Sequence, residues 1–82
     1  MWWVYLLRCK DNSLYCGVTT NLERRVYEHN YTKRSAKYTR ARRPVVLVWT
    51  QKLDSRSSAL KREYEIKKMT KDKKEKMIAS FN

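Results

Sequence analysis

Two apolar, β-rich runs open the chain, residues 2–9 (WWVYLLRC) and 14–19 (LYCGVT), with only KDNS between them. A break this tight and polar joins two strands as a β-hairpin. Asp and Asn suit such a turn, because they bond their own backbone and tolerate left-handed conformations. The rest of the fold must be built around that hairpin.

Side chains alternate faces along a strand. In a bulge-free hairpin, Tyr5 and Tyr15 share a face only if the connecting loop has an odd number of residues. A three-residue loop drawn from KDNS meets this condition. Gly17, the only glycine, then lies on the same face. A residue without Cβ there leaves space for a substrate backbone to approach. The same parity puts Cys9 and Cys16 on opposite faces, so no disulfide is expected between them.

Downstream, TTNLERRVYEHNY reads as a helix capped by Thr20 or Asn21, with Glu23 in its positive first turn. Leu22 and Val26 are four apart and share its core face. Arg25 and His29 are also four apart and are expected on a different face. TKRSAKYTRARRP reads as a basic loop that ends where Pro44 forbids helix. VVLVWTQ is nearly all apolar and predicts a central strand covered on both faces. DSRSSALKREYEIKKM reads as a helix capped by Asp54 or Ser55, with Leu60 and Tyr64 as its core stripe. Thr70 opens a last helix with Met77, Ile78 and Phe81 on its apolar face. The predicted order is ββαβαα: one α/β (α+β) domain, residues 1–82, with a small three-stranded sheet flanked by helices.

Twenty Lys and Arg against eight acidic residues give a formal net charge of +12. That density predicts a polyanionic partner, nucleic acid first and an anionic membrane surface second. No apolar run approaches the ~18 residues of a spanning helix. The N-terminal run lacks the cleavage site of a signal peptide. Two cysteines are too few for a disulfide framework or a four-ligand zinc site. The expectation is a cytoplasmic protein with reduced thiols.

WVYLL, then YCGVT, then NLERRVYEH resemble the GIY-YIG nuclease domain. Its two triplets fall on Trp3-Val4-Tyr5 and Tyr15-Cys16-Gly17. AKYTRARRPVVLVW and ALKREYEIKK are similar to the small stand-alone bacterial GIY-YIG proteins. The resemblance covers essentially the whole chain, although Trp3 stands where the family name has glycine. It implies an antiparallel three-stranded sheet and metal-dependent endonuclease cleavage of DNA phosphodiesters with one divalent ion, Mg2+ or Mn2+. Residue by residue, it implies a site of Tyr5, Tyr15, Arg25, His29 and Glu63, with Glu63 holding the metal.

The chemistry of these residues suits the implied roles. An arginine fork matches phosphate oxygens. A magnesium ion takes one or two protein carboxylates and fills its shell with water and phosphate, so one glutamate is sufficient. Glu65 competes with Glu63 but points about 200° away around the helix. Tyr5 is the expected general base by family analogy; Tyr15 would orient water or phosphate, and His29 would assist. Nucleic-acid contacts are expected at Gly17, Arg24 and Lys67, and along the basic loop at Lys37, Arg40, Arg42 and Arg43. Tyr38 lies among these and offers a ring for base stacking. DNA is preferred over RNA as substrate, with a protein partner as one source of specificity. Two rival readings stay open: a non-catalytic nucleic-acid-binding module that keeps the fold, and a basic adaptor for an acidic protein.

Overall fold

The structure, a computed structural model, describes residues 1–81. The strands are β1 (Trp2–Arg8), β2 (Leu14–Thr19) and β3 (Val46–Leu53). The helices are α1 (Leu22–Tyr31), α2 (Lys37–Arg40), α3 (Arg56–Lys67) and α4 (Lys71–Ala79). The expected order holds with one addition, the single turn of α2 inside the basic segment.

The hairpin loop is three residues, 10–12. Cys9 N–H donates to Ser13 O at 2.9 Å, and Asn12 N–H donates to Cys9 O at 2.9 Å. Asn12 takes the left-handed conformation, φ 70°, that a three-residue loop needs after its type I turn. Tyr5 therefore pairs with Gly17, and Leu7 with Tyr15. Both tyrosines and the glycine lie on one face, as the odd loop requires.

The sheet is antiparallel with order β2-β1-β3. This corrects the expectation for VVLVWTQ. The central strand is β1, where Val4, Tyr5, Leu6 and Leu7 are all buried. β3 is an edge strand whose Val46 is 60% exposed. An apolar run signals burial potential but does not say which neighbours arrive. The helices cover Trp49 and leave Val46 and Leu47 in solvent.

Two small cores flank the sheet. On one face Val4, Leu6, Cys16 and Trp49 pack with Ala59 and Ile66 of α3. On the other, Tyr5, Leu7, Cys9 and Val45 pack with Tyr15 and with Leu22 and Val26 of α1. Cys9 and Cys16 are on opposite faces, and both are free. The expected α3 stripe of Leu60 and Tyr64 is wrong, since these are 37% and 63% exposed. At about 100° per residue, Ala59, Glu63 and Ile66 form the inward side instead. Leu60 and Tyr64 sit at outward angles, while Ile66 and the small Ala59 are fully buried.

Asn21, Ser55 and Thr70 cap α1, α3 and α4 through their side chains. A bidentate pair from Arg8 to Glu75, at 2.6 and 2.8 Å, ties α4 to the end of β1. Lys71 Nζ adds a bond to Asn12 O at 2.7 Å. No helix among the described residues is long and apolar enough to cross a membrane.

Candidate active site

Tyr5 sits in the middle of the central strand and is 1% exposed. Its hydroxyl lies 2.9 Å from His29 Nε2. On the far side of the ring, His29 Nδ1 lies 2.8 Å from Thr39 Oγ1. The Thr39 hydroxyl donates its single proton to Ala36 O at 3.0 Å. Thr39 can then only accept from His29, so the network assigns the imidazole proton to Nδ1 and leaves Nε2 to accept from Tyr5. The chain of donors runs from Tyr5 through His29 and Thr39 to a backbone carbonyl.

Burial lowers the His29 pKa to about 4, with the charges of Arg25 and Arg43 pushing the same way and Glu28 opposing. The imidazole is neutral at pH 7. Burial also raises the Tyr5 phenol far above its ordinary value of 10, with Tyr15 adding and Arg25 opposing. Tyr5 at rest is a protonated phenol. His29 is fully buried, on the α1 face that carries Leu22 and Val26. The expectation that it projects away from them fails on angle: a spacing of seven residues, about two turns, places residue 29 within about 20° of residue 22.

Arg25 leans over this cluster. Its Nη1 bonds Glu28 Oε1 at 3.0 Å and Arg34 O at 2.7 Å. Tyr15 packs edge-on against His29, with centroids 5.3 Å apart, and stacks with Tyr38 at 6.1 Å. Four of the five expected site residues, Tyr5, Tyr15, Arg25 and His29, are thus brought together on the α1 face.

Gly17 lies directly across from Tyr5. A Cβ at Gly17 would stand 2.6 Å from Tyr5 Cζ, with Tyr5 Oη closer still. The room made by the missing side chain belongs to the Tyr5 ring, not to an incoming backbone. The expected nucleic-acid contact at Gly17 is corrected accordingly.

Glu63 stands on the other face. It belongs to the inward stripe of α3, and its charge helps burial push the Cys16 thiol up to about 12. Glu63 Oε2 pairs with Lys67 Nζ at 3.5 Å. The two faces communicate along the free edge of β2. A cleft of about 220 Å3 runs there, lined by Leu14, Tyr15, Cys16, Tyr38, Lys67 and Lys74. Among the described residues no group of three or more His, Cys, Asp or Glu could enclose a metal. Glu63, which among the described residues forms an ion pair with one lysine, fits a magnesium or manganese ion whose shell water and phosphate complete.

The basic segment is not a free loop. Arg40 donates to Lys33 O and Ser35. Arg43 donates to His29 O at 2.7 Å, to Ser35 Oγ at 3.0 Å and to Thr32 O. Arg42 bonds Tyr38 O and Asp11, and its guanidinium lies 3.9 Å from the Tyr38 ring centroid. These arginines fold the segment; Arg43 also satisfies carbonyls at the end of α1. A base stacking on Tyr38 would compete with Arg42. Lys37 and Arg24 are exposed, and Arg24 lines a shallow depression of about 390 Å3 with Asn21, Glu23 and Tyr27.

No sequence pattern marked Thr39 or Asn30. Asn30 clasps the Val45 backbone through both amide atoms, at 2.7 and 3.1 Å, and so seats α1 against the start of β3. No local pattern marks Thr39, whose partner His29 is ten residues away.

Residues 1–76 match the GIY-YIG catalytic domain family. The chain is 55% identical over 76 residues to a UPF0213 protein of Staphylococcus haemolyticus, covering 93% of this chain and 92% of that one. A UPF0213 protein of Natronomonas pharaonis is 53% identical over 77 residues, covering 94% and 89%. The solution NMR structure of a UPF0213 protein from Bacillus halodurans superposes with a TM-score of 0.61 at 42% identity, covering 96% and 84%.

Proposed function

The chain belongs to the GIY-YIG catalytic domain family, and from that premise we propose that it is a nuclease that hydrolyses phosphodiester bonds, with DNA as the first substrate to try. The Tyr5–His29–Thr39 relay beside Arg25 is the observation that carries this reading. A phenol this buried is a poor base by itself. It becomes one if its own proton leaves as another arrives. Tyr5 takes a proton from the attacking water at Oη while its own proton passes to His29 Nε2, which is vacant in this tautomer. The water oxygen bonds to phosphorus, and the bond to the leaving oxygen breaks. The imidazolium so formed is held in orientation by Nδ1–H on Thr39 Oγ1. Arg25 supplies charge against the phosphoryl oxygens, where negative charge grows. Tyr15 lines the cleft and orients the incoming strand. A magnesium or manganese ion held by Glu63 would polarise a phosphoryl oxygen and stabilise the leaving oxygen.

The test is cleavage of structured DNA and RNA substrates in magnesium or manganese, with chelator as control. Chelator-sensitive cutting supports the proposal. A second reading, a binding module without turnover, is favoured by Glu63 standing on the face opposite Tyr5. Tight binding with no cutting of any substrate in either metal would establish it.

A further inference from the structure

The cleft along the β2 edge has two unlike walls. One is aromatic, Tyr15 stacked with Tyr38. The other is cationic, Lys67 at the end of α3 and Lys74 on α4. Lys74 differs from its neighbours. The other lysines of the run, Lys67, Lys68, Lys71, Lys73 and Lys76, are exposed, while Lys74 is half-buried. Among the described residues it makes no ion pair, whereas Lys67 pairs with Glu63 and Lys71 with Glu75. The Lys74 side chain is therefore partly covered with no carboxylate partner among the described residues. Snorkelling of its aliphatic stem would explain burial of the methylenes, but not the choice of a cleft that already holds a second lysine. Glu63, Lys67 and Lys74 all act on the same buried thiol, Cys16, the carboxylate raising its pKa and the two lysines lowering it, so the three charges meet near the β2 edge. The placement of Lys74 is held from outside the cleft: its neighbour Glu75 is fixed to Arg8 by the bidentate pair.

We propose that Lys67 and Lys74 form a phosphate seat for the bound strand, with Lys74 its fixed member and the Tyr15–Tyr38 wall packing the attached nucleotide. The proposal rests on the nuclease reading and names residues for substrate positioning that the catalytic cluster does not include. Arg25 serves the phosphate under attack on the α1 face. The lysine pair engages a different phosphodiester of the same strand, at the edge. Lys67 already pairs with Glu63 at 3.5 Å, so Lys74 is the positive group of the pair free to meet a phosphate; a cleft of about 220 Å3 admits one nucleotide unit and no folded partner.

The experiment measures binding of a fluorescein-labelled oligonucleotide in chelator by anisotropy, across a salt series. Wild type is compared with Lys74→Met and with Lys73→Met, which removes the same charge from an adjacent exposed position. Lys74→Met should weaken binding about tenfold at 0.1 M salt and flatten the log–log salt slope by about 0.7 to 0.9, one phosphate contact. Lys73→Met should do less than half of this. Lys74→Arg should restore the slope. Thermal midpoints within a few degrees of wild type would exclude misfolding as the cause. Equal effects of Lys73→Met and Lys74→Met overturn the seat while leaving the nuclease reading intact. Wild-type binding that is absent or flat with salt overturns the nuclease reading, and the seat with it.

Discussion

Replacing Gly17 with Ala tests the packing on which the site depends. The new Cβ would stand 2.6 Å from Tyr5 Cζ, far inside ordinary contact distance. Relief would be cheap if the tyrosine were a free surface side chain. Here the ring is 1% exposed and its hydroxyl is bonded to His29. The ring must shift, and the hydrogen bond goes with it. Overpacking a filled core costs roughly 1–3 kcal/mol. Leaving buried polar groups unpaired costs roughly another 1–3 kcal/mol. Gly17→Ala should therefore destabilise the fold by about 3 kcal/mol, which lowers the thermal midpoint of a domain this size by roughly 12–24 °C. Circular dichroism melts and urea titrations give both quantities. The reasoning also predicts coupling, because contacting residues are not additive. In the Tyr5→Phe background the hydrogen bond is already gone, so Gly17→Ala should cost at least about 1 kcal/mol less. A variant within about 0.5 kcal/mol of wild type, or one whose cost is the same in both backgrounds, would refute the assignment of that space to Tyr5.

Two further predictions separate structural from electrostatic roles. His29 binds its proton only near pH 4 when folded, against 6.5 when free, so between those values the unfolded chain holds more protons and stability falls as pH falls. The full effect is about 3 kcal/mol at ~1.4 kcal/mol per pH decade; urea midpoints at pH 7 and pH 5 should show a larger drop in wild type than in His29→Gln, and equal drops would refute it. Arg43→Met should lower stability by roughly 2–4 kcal/mol through lost charge-assisted bonds to His29 O and Thr32 O, while the salt slope of nucleic-acid binding stays within about 0.3 of wild type; a slope change near 0.9 at unchanged stability would make Arg43 a phosphate contact instead.

The hairpin was legible because parity is a local rule: KDNS sets the loop, the loop sets the register, and the register puts Tyr5, Tyr15 and Gly17 on one face. The helix caps were legible for the same reason. What failed was everything set by packing partners distant in sequence. VVLVWTQ has the composition of a central strand, yet β1 takes that place because it is the strand both others pair with. Leu60 and Tyr64 are larger than Ala59, but Ala59, Glu63 and Ile66 hold the inward angle. The carbonyl partners of the arginines at 40, 42 and 43 were not legible, because charge is visible in sequence and backbone contacts are not. Glu75 carries no local signal of its role, because its partner Arg8 lies 67 residues away.

The most direct test of the account is single-turnover DNA cleavage in magnesium or manganese by wild type, Tyr5→Phe and Glu63→Ala. Tyr5→Phe breaks the proton path at its first atom and should slow cleavage by about 10²–10⁴-fold. Glu63→Ala should reduce cutting to background at any metal concentration, with oligonucleotide binding in chelator retained. Equal rates in all three proteins would contradict the account, because neither the buried phenol nor the single carboxylate would then take part in the chemistry.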